Sequence, residues 1–192
     1  MTEIASDSFA PGDEAHSTPL AYLLQAHSVA TYDYLEFRCV VEGEAARLAA
    51  ERADEADRAM LTRRFDAIEA MHAKDDPTEE ADADAEFHLG VYEAAHNLVL
   101  LHIMRGFSSM LRNDVFYSRN RLYSRKGVRD LLLQQHRAIY EAILARDPAA
   151  AADAATAHMR FTRDTLADIS AADERAEASR RRVARSSLVE LD

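Results

Sequence analysis

Four residues between positions 84 and 158 have the side chains and the spacing to bind one metal ion. Asp84 and His88 are four residues apart, so on a helix they project from one face with Cβ atoms ~5–6 Å apart. His136 and His158 each interrupt an otherwise apolar face later in the chain. One carboxylate and three imidazoles suit a single divalent ion, with zinc as the first expectation and nickel, manganese or iron if the geometry is octahedral. An octahedral ion would keep two positions open for a small carboxylate or 2-hydroxy acid.

The same four residues also have an ordinary interpretation. A single histidine on a helix is more often a hydrogen-bonded polar residue than a metal ligand, and Asp84 belongs to the acidic stretch 79–86. Spacing alone therefore leaves the four-ligand site and this structural interpretation both open. If the four-ligand site is right, the remaining histidines are expected at the surface or at helix ends, among them His16, His27, His72 and His102.

A different metal site is suggested by two Glu-x-x-His pairs, the unit that di-iron carboxylate bundles use. Such a site also needs bridging glutamates from two further helices. The pairs and the candidate bridging residues are Glu69 with His72, Glu93 with His96, and then Glu42 and Glu141. His72 and His96 fall at predicted helix C-termini, where the helix dipole and the end carbonyls favour an imidazole. A structural role therefore explains both pairs, and the di-iron site is the alternative.

Common enzyme motifs do not occur in the sequence. There is no His-Glu-x-x-His, no Gly-x-Ser-x-Gly, no phosphate-binding glycine-rich loop and no paired-cysteine metal motif. We therefore predict that the protein is not an enzyme. Two alternatives stay open: a metal-dependent enzyme that uses the same four residues on a small carboxylate, and a closed structural metal in a dimerisation module.

The elements that must position these residues are predicted to be helices. Only 5 Gly and 4 Pro occur in 192 residues, which favours helix over a β-sandwich. Apolar residues recur at helical spacing in six stretches, at about 32–52, 55–74, 77–95, 98–124, 131–145 and 148–169. Asp54 and Asp147 suit N-cap positions, Asn97 suits a C-cap, and Gly127 suits a break. Six or seven helices with short connections predict an all-α antiparallel bundle.

Charge and hydropathy limit the partners and the location of the chain. The formal net charge of −11 disfavours a nucleic-acid surface, because phosphate binding needs clustered Lys and Arg. One basic cluster lies near the end of the chain and is expected to be solvated; it consists of Arg180, Arg181, Arg182 and Arg185. No apolar run approaches the ~20 residues that span a bilayer, and the acidic N-terminus does not resemble a signal peptide. We expect a cytoplasmic protein that does not contact a membrane.

Composition divides the chain into three segments. Residues 1–18 are polar and small, and we expect them to form a disordered leader. Residues 19–170 are expected to form one helical domain, which is large enough to bury a substantial core and opens with a short linker helix near 20–24. Residues 171–192 are expected to form a polar tail.

Several longer stretches share their residues and spacing with one known family. They are Tyr34-Leu-Glu-Phe-Arg38, Val41-Glu-Gly-Glu-Ala-Ala-Arg-Leu-Ala-Ala50, Asp84-Ala-Glu-Phe-His88, Glu93-Ala-Ala-His-Asn97, His136-Arg-Ala-Ile-Tyr-Glu-Ala-Ile143, Asp147 and Ala157-His158. Together they resemble the FadR C-terminal (FCD) domain, the effector-sensing half of many GntR-family bacterial repressors. The likeness covers roughly residues 19–170, and the combined spacing is quite specific.

The resemblance implies roles for individual residues. In metal-binding members of the family the aspartate and the three histidines of this pattern are the ligands, which implies metal ligation by Asp84, His88, His136 and His158. It also implies that Arg38 pairs with the carboxylate of the effector, and a guanidinium offers a suitable two-pronged fork. The alternative is a structural ion pair between Arg38 and Glu42, one helical turn further on.

The resemblance further implies partners. The segments 96–107 and 118–123 look closest to the lactate-, pyruvate- and glycolate-responsive branch, so a 2-hydroxy or 2-oxo acid is the expected effector. A homodimer is expected. Full-length members begin with a winged helix-turn-helix of roughly 60–70 residues, whereas here fewer than 35 acidic residues precede the first sensor helix. DNA binding is therefore expected only through a winged-helix domain that this sequence does not contain, and the chain is expected to be an excised sensor domain or a naturally headless homologue.

Overall fold

Six α-helices make up most of the chain that our computed structural model describes, which is residues 28–110, 121–123, 125 and 127–189. In chain order they are α1 Ser28–Arg52, α2 Glu55–Lys74, α3 Pro77–Ala94, α4 Leu98–Met110, α5 Val128–Leu144 and α6 Pro148–Val189. Residues 121–123 are also helical, and the described residues contain no strand. The predicted all-α class is confirmed. The predicted leader, the linker helix near 20–24 and the stretch 111–120 lie outside the described residues.

Side-chain caps determine where several helices begin. Asp54 precedes α2 and accepts a hydrogen bond from the backbone N–H of Asp57 at 2.9 Å, and the Asp57 carboxylate accepts one from the backbone N–H of Asp54 at 3.0 Å. This reciprocal pair is a capping box. Asp147 precedes α6 and accepts a hydrogen bond from the backbone N–H of Ala150 at 3.0 Å. Both N-cap predictions are confirmed.

The connection between α3 and α4 corrects one prediction. Asn97 was expected as a C-cap, but α3 ends at Ala94 and the left-handed residue after it is His96, with φ 49°. The Asn97 side chain instead accepts a hydrogen bond from the backbone N–H of Leu100 at 3.1 Å. Asn97 therefore caps the start of α4, because its short carbonyl reaches the unpaired N–H groups of the next helix.

Helix α6 is longer than its apolar pattern predicts. The apolar face ends near Ile169, but the helix continues to Val189. Residues 173–182 are exposed, and Arg181 forms an ion pair with Glu177 one turn away. The polar tail is therefore a solvated helix as far as the structure describes it. Among the described helices, none combines the length and the apolar character of a membrane span.

Helices α1 and α6 pack against each other at very short range. A Cβ atom added to Gly43 would lie 2.4 Å from Thr156 Oγ1 and 3.4 Å from the Ala152 carbonyl oxygen. Only glycine allows this approach without a shift of one helix, because every other residue carries that Cβ. The close contact fixes which residues of α6 face those of α1.

The core consists of two apolar clusters. The first includes Ala45, Ala46, Ala49, Leu61, Phe65, Ile68, Phe87, Val91, Met104, Ile139, Ile143 and Ala155. The second includes Leu35, Cys39, Ala81, Leu122, Tyr123, Leu132, Met159, Leu166 and Ile169. Each of α1, α3, α5 and α6 contributes to both clusters, so each of these four helices runs from one cluster into the other.

A layer of buried polar side chains lies where the four helices pass between the clusters. On α5, for example, Leu132 belongs to the second cluster and Ile139 to the first, and His136 lies between them. The layer consists of Glu42 from α1, Asp84 and His88 from α3, His136 from α5 and His158 from α6. Burying polar groups among apolar side chains is costly unless each group is bonded. These buried polar side chains of the four helices therefore lie together in one layer between the two apolar clusters.

Candidate metal centre

Three helices bring the four predicted ligands together. Asp84 and His88 lie one turn apart on α3, His136 lies on α5 and His158 on α6. One ligand atom from each residue can be chosen so that all four atoms lie within 4.8 Å of one another. The structure thus assembles all four residues that the spacing and the resemblance identified, and it does so around a single point.

The distances within the cluster suit a shared ion. Asp84 Oδ1 lies 2.7 Å from His136 Nε2 and 3.2 Å from His88 Nε2, and the two imidazole Nε2 atoms are 3.3 Å apart. Metal–ligand bonds of about 2.0–2.2 Å place neighbouring ligand atoms roughly 3–3.5 Å apart. The donor set and its spacing therefore fit a divalent ion with three imidazole ligands and one carboxylate.

Burial makes the cluster distinctive. Asp84, His88, His136 and His158 are 4%, 4%, 0% and 3% exposed. The ring of Phe87 packs edge-on against the imidazoles of His88 and His136, with centroid distances of 6.0 and 5.6 Å. Burying an imidazole nitrogen away from water costs free energy unless the nitrogen has a bonding partner. An ion between the three rings would provide that partner.

Outer partners orient two of the imidazoles. His88 Nδ1 donates a hydrogen bond to Glu42 Oε2 at 3.0 Å, and His158 Nδ1 donates one to Gln135 Oε1 at 3.0 Å. A neutral imidazole that donates from Nδ1 has its lone pair on Nε2. For both rings this places the ligand-type nitrogen toward the centre, which is the usual arrangement of histidines that bind metals.

The contact between Glu42 and His88 was not predicted from the sequence. Glu42 is 1% exposed. Oε2 accepts the bond from His88, while Oε1 accepts bonds from Arg38 Nε at 3.1 Å, from Arg38 Nη2 and from the hydroxyl of Tyr92. The sequence offered Glu42 as an ion-pair partner of Arg38 and as a candidate bridging ligand of a di-iron site, and neither interpretation indicated a contact with His88.

The pKa values follow from burial and from these partners. Burial by itself would raise the pKa of Glu42, but the charges of His88 and Arg38 outweigh it and hold that pKa well below the usual range. Burial would lower the pKa of His88, but the Glu42 and Asp84 carboxylates raise it. For His158 burial is the largest cause, and together with His136 and His88 it lowers the pKa far below the usual value. A neutral His158 is the form that binds metals.

Arg38, the predicted effector contact, is buried and forms an ion pair with Glu42. This is the structural pair that the sequence left open as an alternative. The pair uses Nε and Nη2 of the guanidinium. Its third nitrogen, Nη1, is not used by Glu42, so the pair and an additional anion contact are compatible in chemistry.

The di-iron alternative is wrong. Each member of the two Glu-x-x-His pairs has a separate partner: Glu69 pairs with Arg137, His72 with Glu80, Glu93 with Arg64 and Arg105, and His96 with Asp57. Glu141 is exposed, and Glu42 bonds to His88. The pattern failed because the four helices do not turn these residues toward one point. In the described part of the chain, the group of metal-ligand residues that converges is the Asp84 cluster.

The fold and its buried polar layer define an all-α domain with an internal group of possible metal ligands. The family model described as the FCD domain matches residues 33–161, and the chain belongs to the FCD domain family. The resemblance inferred from the motifs is therefore confirmed. FCD domains are the effector-binding domains of GntR-family transcription regulators.

Named relatives agree with this assignment. The Glc operon transcriptional activator of Escherichia coli K12 is 35% identical over 156 residues, which are 80% of this chain and 61% of the relative. The putative L-lactate dehydrogenase operon regulatory protein of the same strain is 37% identical over 148 residues, 77% of this chain and 56% of the relative. LutR of Bacillus subtilis, an HTH-type transcriptional regulator, is 34% identical over 152 residues, 78% of this chain and 68% of the relative.

Solved structures with the same fold include a GntR protein of Streptococcus agalactiae and McbR/YncC of E. coli. The first has a TM-score of 0.60 at 23% identity and covers 76% of this chain and 64% of its own. The second has a TM-score of 0.59 at 17% identity and covers 71% and 67%. The chain spans about three fifths of the length of the two E. coli relatives. Because the relatives are regulators and the family is a regulatory domain, the protein belongs with regulators and not with enzymes.

Proposed function

We propose that the domain binds one divalent metal ion at Asp84, His88, His136 and His158 and uses it to sense a small carboxylate. The observation that carries the proposal is the convergence of these four buried side chains. Glu42 and Gln135 accept the Nδ1–H groups of two of the three imidazoles, and this orientation turns the Nε2 atoms of both rings toward the other ligand atoms. Zinc is the first expectation for an imidazole-rich site, and nickel, manganese or iron fit the same donors.

The charge of the site favours an anionic effector. A divalent ion held by one carboxylate keeps a net positive charge, and a bound ion is often the largest local charge in a site. When bound, such an ion supplies a Lewis acid that attracts a carboxylate or the 2-hydroxy group of a hydroxy acid. One relative is named for an L-lactate dehydrogenase operon, and lactate is a 2-hydroxy acid. We therefore propose a 2-hydroxy or 2-oxo acid as the effector.

Two further buried groups support an effector site beside the metal. Arg38 keeps Nη1 outside its pair with Glu42 and can direct it to a carboxylate. The hydroxyl of Thr162 is buried, and no described residue forms a hydrogen bond with it. Thr162 lies one turn after His158 on α6, so both side chains share one helix face. A buried hydroxyl without a partner is costly, and an effector oxygen would satisfy it.

We propose that the domain forms a homodimer through an apolar strip on α1 and α4. Phe37, Val40 and Ile103 are 41%, 72% and 44% exposed, and Phe37 packs edge-on against Phe107 to connect the two helices. Closed two-fold dimers are the commonest oligomers. Val40→Asp is expected to shift the dimer to monomer in light scattering, whereas Leu131→Asp, at an exposed apolar position on α5, is not. An unchanged dimer in Val40→Asp would remove this surface from consideration.

In an intact regulator, effector binding would change how the helices pack and so alter DNA binding by a winged-helix domain. As part of a transcription regulator, the domain would act in the cytoplasm. The effector can be sought directly on this chain. Metal content by mass spectrometry should give one ion per chain, and a thermal-shift screen of small mono- and dicarboxylates should give a higher Tm with at least one 2-hydroxy or 2-oxo acid.

Two results would overturn this function. A purified protein that holds no metal and responds to no carboxylate would remove the sensing site. Turnover of a 2-hydroxy or 2-oxo acid would replace it with the metal-dependent enzyme. A chelator should lower Tm by several degrees if the ion stabilises the folded domain, since a ligand at about a thousand times its Kd contributes ~4 kcal/mol.

A further inference from the structure

The two oxygens of Glu42 serve different sides of the site. Oε2 accepts a hydrogen bond from His88, which is a predicted metal ligand. Oε1 accepts hydrogen bonds from Arg38, the proposed effector contact, and from Tyr92. One buried carboxylate therefore contacts both a predicted metal ligand and the proposed effector contact.

Both connections are strong ones. The Arg38 and Glu42 side chains are 7% and 2% exposed, and the His88 side chain is 5% exposed. Charge-assisted hydrogen bonds in such surroundings are roughly twice as strong as neutral ones, and water does not compete for them. A carboxylate that accepts the Nδ1–H of a ligand histidine fixes the ring and raises the basicity of the opposite nitrogen, and losing it typically weakens metal binding 10–100-fold.

We propose that Glu42 is a positioning residue that transmits the state of Arg38 to His88 and so couples effector binding to metal binding. This rests on the proposed function. When Arg38 directs its charge to an effector carboxylate, Glu42 Oε1 is less neutralised, and the carboxylate acts more strongly on the His88 Nδ1–H. The Nε2 lone pair of His88 becomes a better ligand. Effector and metal then bind with positive cooperativity, and the coupling is reciprocal.

Tyr92 supplies the matched control. Its hydroxyl donates to the same Oε1 that Arg38 uses, and burial together with Glu42 raises its pKa well above the usual value, so it is a neutral donor. Tyr92→Phe removes one hydrogen bond from Glu42 but leaves the Arg38 charge and the Oε2–His88 bond in place. This variant tests whether the loss of a neutral hydrogen bond to Glu42 is enough to change metal affinity, or whether a change of charge is required.

The test is a double-mutant cycle on zinc affinity, measured by competition with a chelator on the full chain. Glu42→Gln is expected to weaken zinc binding at least about tenfold, and Tyr92→Phe less than about threefold. Arg38→Gln is expected to tighten zinc binding about threefold in the wild-type background and to have no effect in the Glu42→Gln background. The double variant carries two neutral amides, so it stays measurable if the single Glu42→Gln chain with its buried unpaired arginine folds poorly.

Three results would overturn the proposal. Unchanged zinc affinity in Glu42→Gln would show that Glu42 does not position His88. An Arg38→Gln effect that persists in the Glu42→Gln background would show that the arginine acts through space and not through Glu42. Equal losses in Glu42→Gln and Tyr92→Phe would indicate a structural role.

The effector side is tested separately with L-lactate as the probe. Zinc affinity measured with and without saturating L-lactate should improve several-fold in wild type and by a smaller factor in Glu42→Gln, where only direct coordination of the ion by lactate remains. An equal improvement in both would contradict coupling through Glu42. If the Arg38–Glu42 cycle behaves as expected but no carboxylate affects the protein, the proposed sensing function fails and the link from Arg38 to His88 stands.

Discussion

Two polar clusters in this bundle each hold a buried carboxylate beside an imidazole, but they differ in how the partners are matched. The proposed metal centre consists of Asp84, His88, His136 and His158. The arginine cluster consists of His72, Asp75, Glu80 and Arg129 and joins the end of α2 to the starts of α3 and α5. Each contains a carboxylate that is almost fully buried and at least one imidazole within hydrogen-bond distance of it.

In the arginine cluster every strong acceptor meets a donor. Glu80 is fully buried, and its two oxygens accept bonds from His72 Nδ1 at 2.7 Å and from Arg129 Nε at 2.6 Å. Arg129 also donates to the Asp75 carboxylate and to the backbone carbonyl of His72. The charges and hydrogen bonds are nearly balanced within the protein. Such a cluster holds the helices together through ion pairs and hydrogen bonds, and it does not need a metal ion to complete them.

The metal centre is arranged differently, because its ligand-type nitrogens converge. The Nδ1 atoms of His88 and His158 donate hydrogen bonds to Glu42 and Gln135. The Nε2 atoms of the two rings therefore face the other possible ligands. An inward set of lone pairs repels itself unless a cation lies among them. A buried carboxylate beside an imidazole is therefore common to both clusters, and the feature that marks the Asp84 cluster as a candidate binding site is the convergence of four ligand atoms on one point.

The largest expected effect separates the two clusters by metal content. His136→Ala removes a fully buried ligand that lies 2.7 Å from Asp84, and bound metal should fall from one ion per chain to a small fraction of that, as measured by mass spectrometry. His72→Ala, in the arginine cluster, should keep the full metal content. A His72→Ala variant without bound metal, or a His136→Ala variant that keeps one ion per chain, would contradict the distinction between the two clusters.

The second prediction concerns stability without metal loss. Arg129→Ala leaves the Glu80 carboxylate buried with an incomplete set of donors, and it should lower the free energy of unfolding by about 3 kcal/mol in urea denaturation. Metal content should not change. Glu80→Met combined with Arg129→Met should be more stable than Arg129→Ala, because it leaves no uncompensated charge; a double variant that is equally unstable would contradict this account of the cluster.

The third prediction removes only the hydroxyl beside the metal centre. Thr162→Val keeps the shape of the side chain, and since the hydroxyl is buried without a partner among the described residues, Tm should stay the same or rise slightly. Affinity for the carboxylate that responds in the thermal-shift screen should fall about tenfold, the value of a hydrogen bond to a charged group. Thr162→Ser serves as the control and should retain binding. Unchanged carboxylate affinity in Thr162→Val would exclude this contact.

The smallest effect tests the packing that places Glu42. Gly43→Ala puts a Cβ 2.4 Å from Thr156 Oγ1, so overpacking should exceed the gain in helix propensity and cost about 1 kcal/mol net. Combining it with Thr156→Ala should restore stability by removing the hydroxyl in the way. Because Gly43 follows Glu42, zinc affinity should weaken slightly in the single variant and recover in the double one. Additive losses would show that the clash lies elsewhere.

Much of the fold follows from the sequence alone because helices depend on local interactions. Apolar spacing predicted the approximate positions of the helices, and Asp54 and Asp147 marked the starts of α2 and α6. The i,i+4 spacing of Asp84 and His88 ensured a shared face wherever the helix packed. His136 and His158 stood out because each is a polar residue within an apolar face. The extension of α6 to Val189 was not predicted, because the exposed stretch 173–182 consists of charged and small residues and no apolar period continues the helix beyond Ile169.

Only the tertiary structure decided which of the polar candidates meet. Glu69, His72, Glu93 and His96 carried a metal pattern as clear as that of the four residues that converge, and the packing of α2, α3 and α5 gave each of them a different partner. The bond from Glu42 to His88 joins residues 46 positions apart, so no periodicity could indicate it. It exists because α1 packs against α3, which brings the Glu42 carboxylate to the His88 ring. Local spacing determined the faces of the helices, and the contacts between helices determined which of those faces became a site.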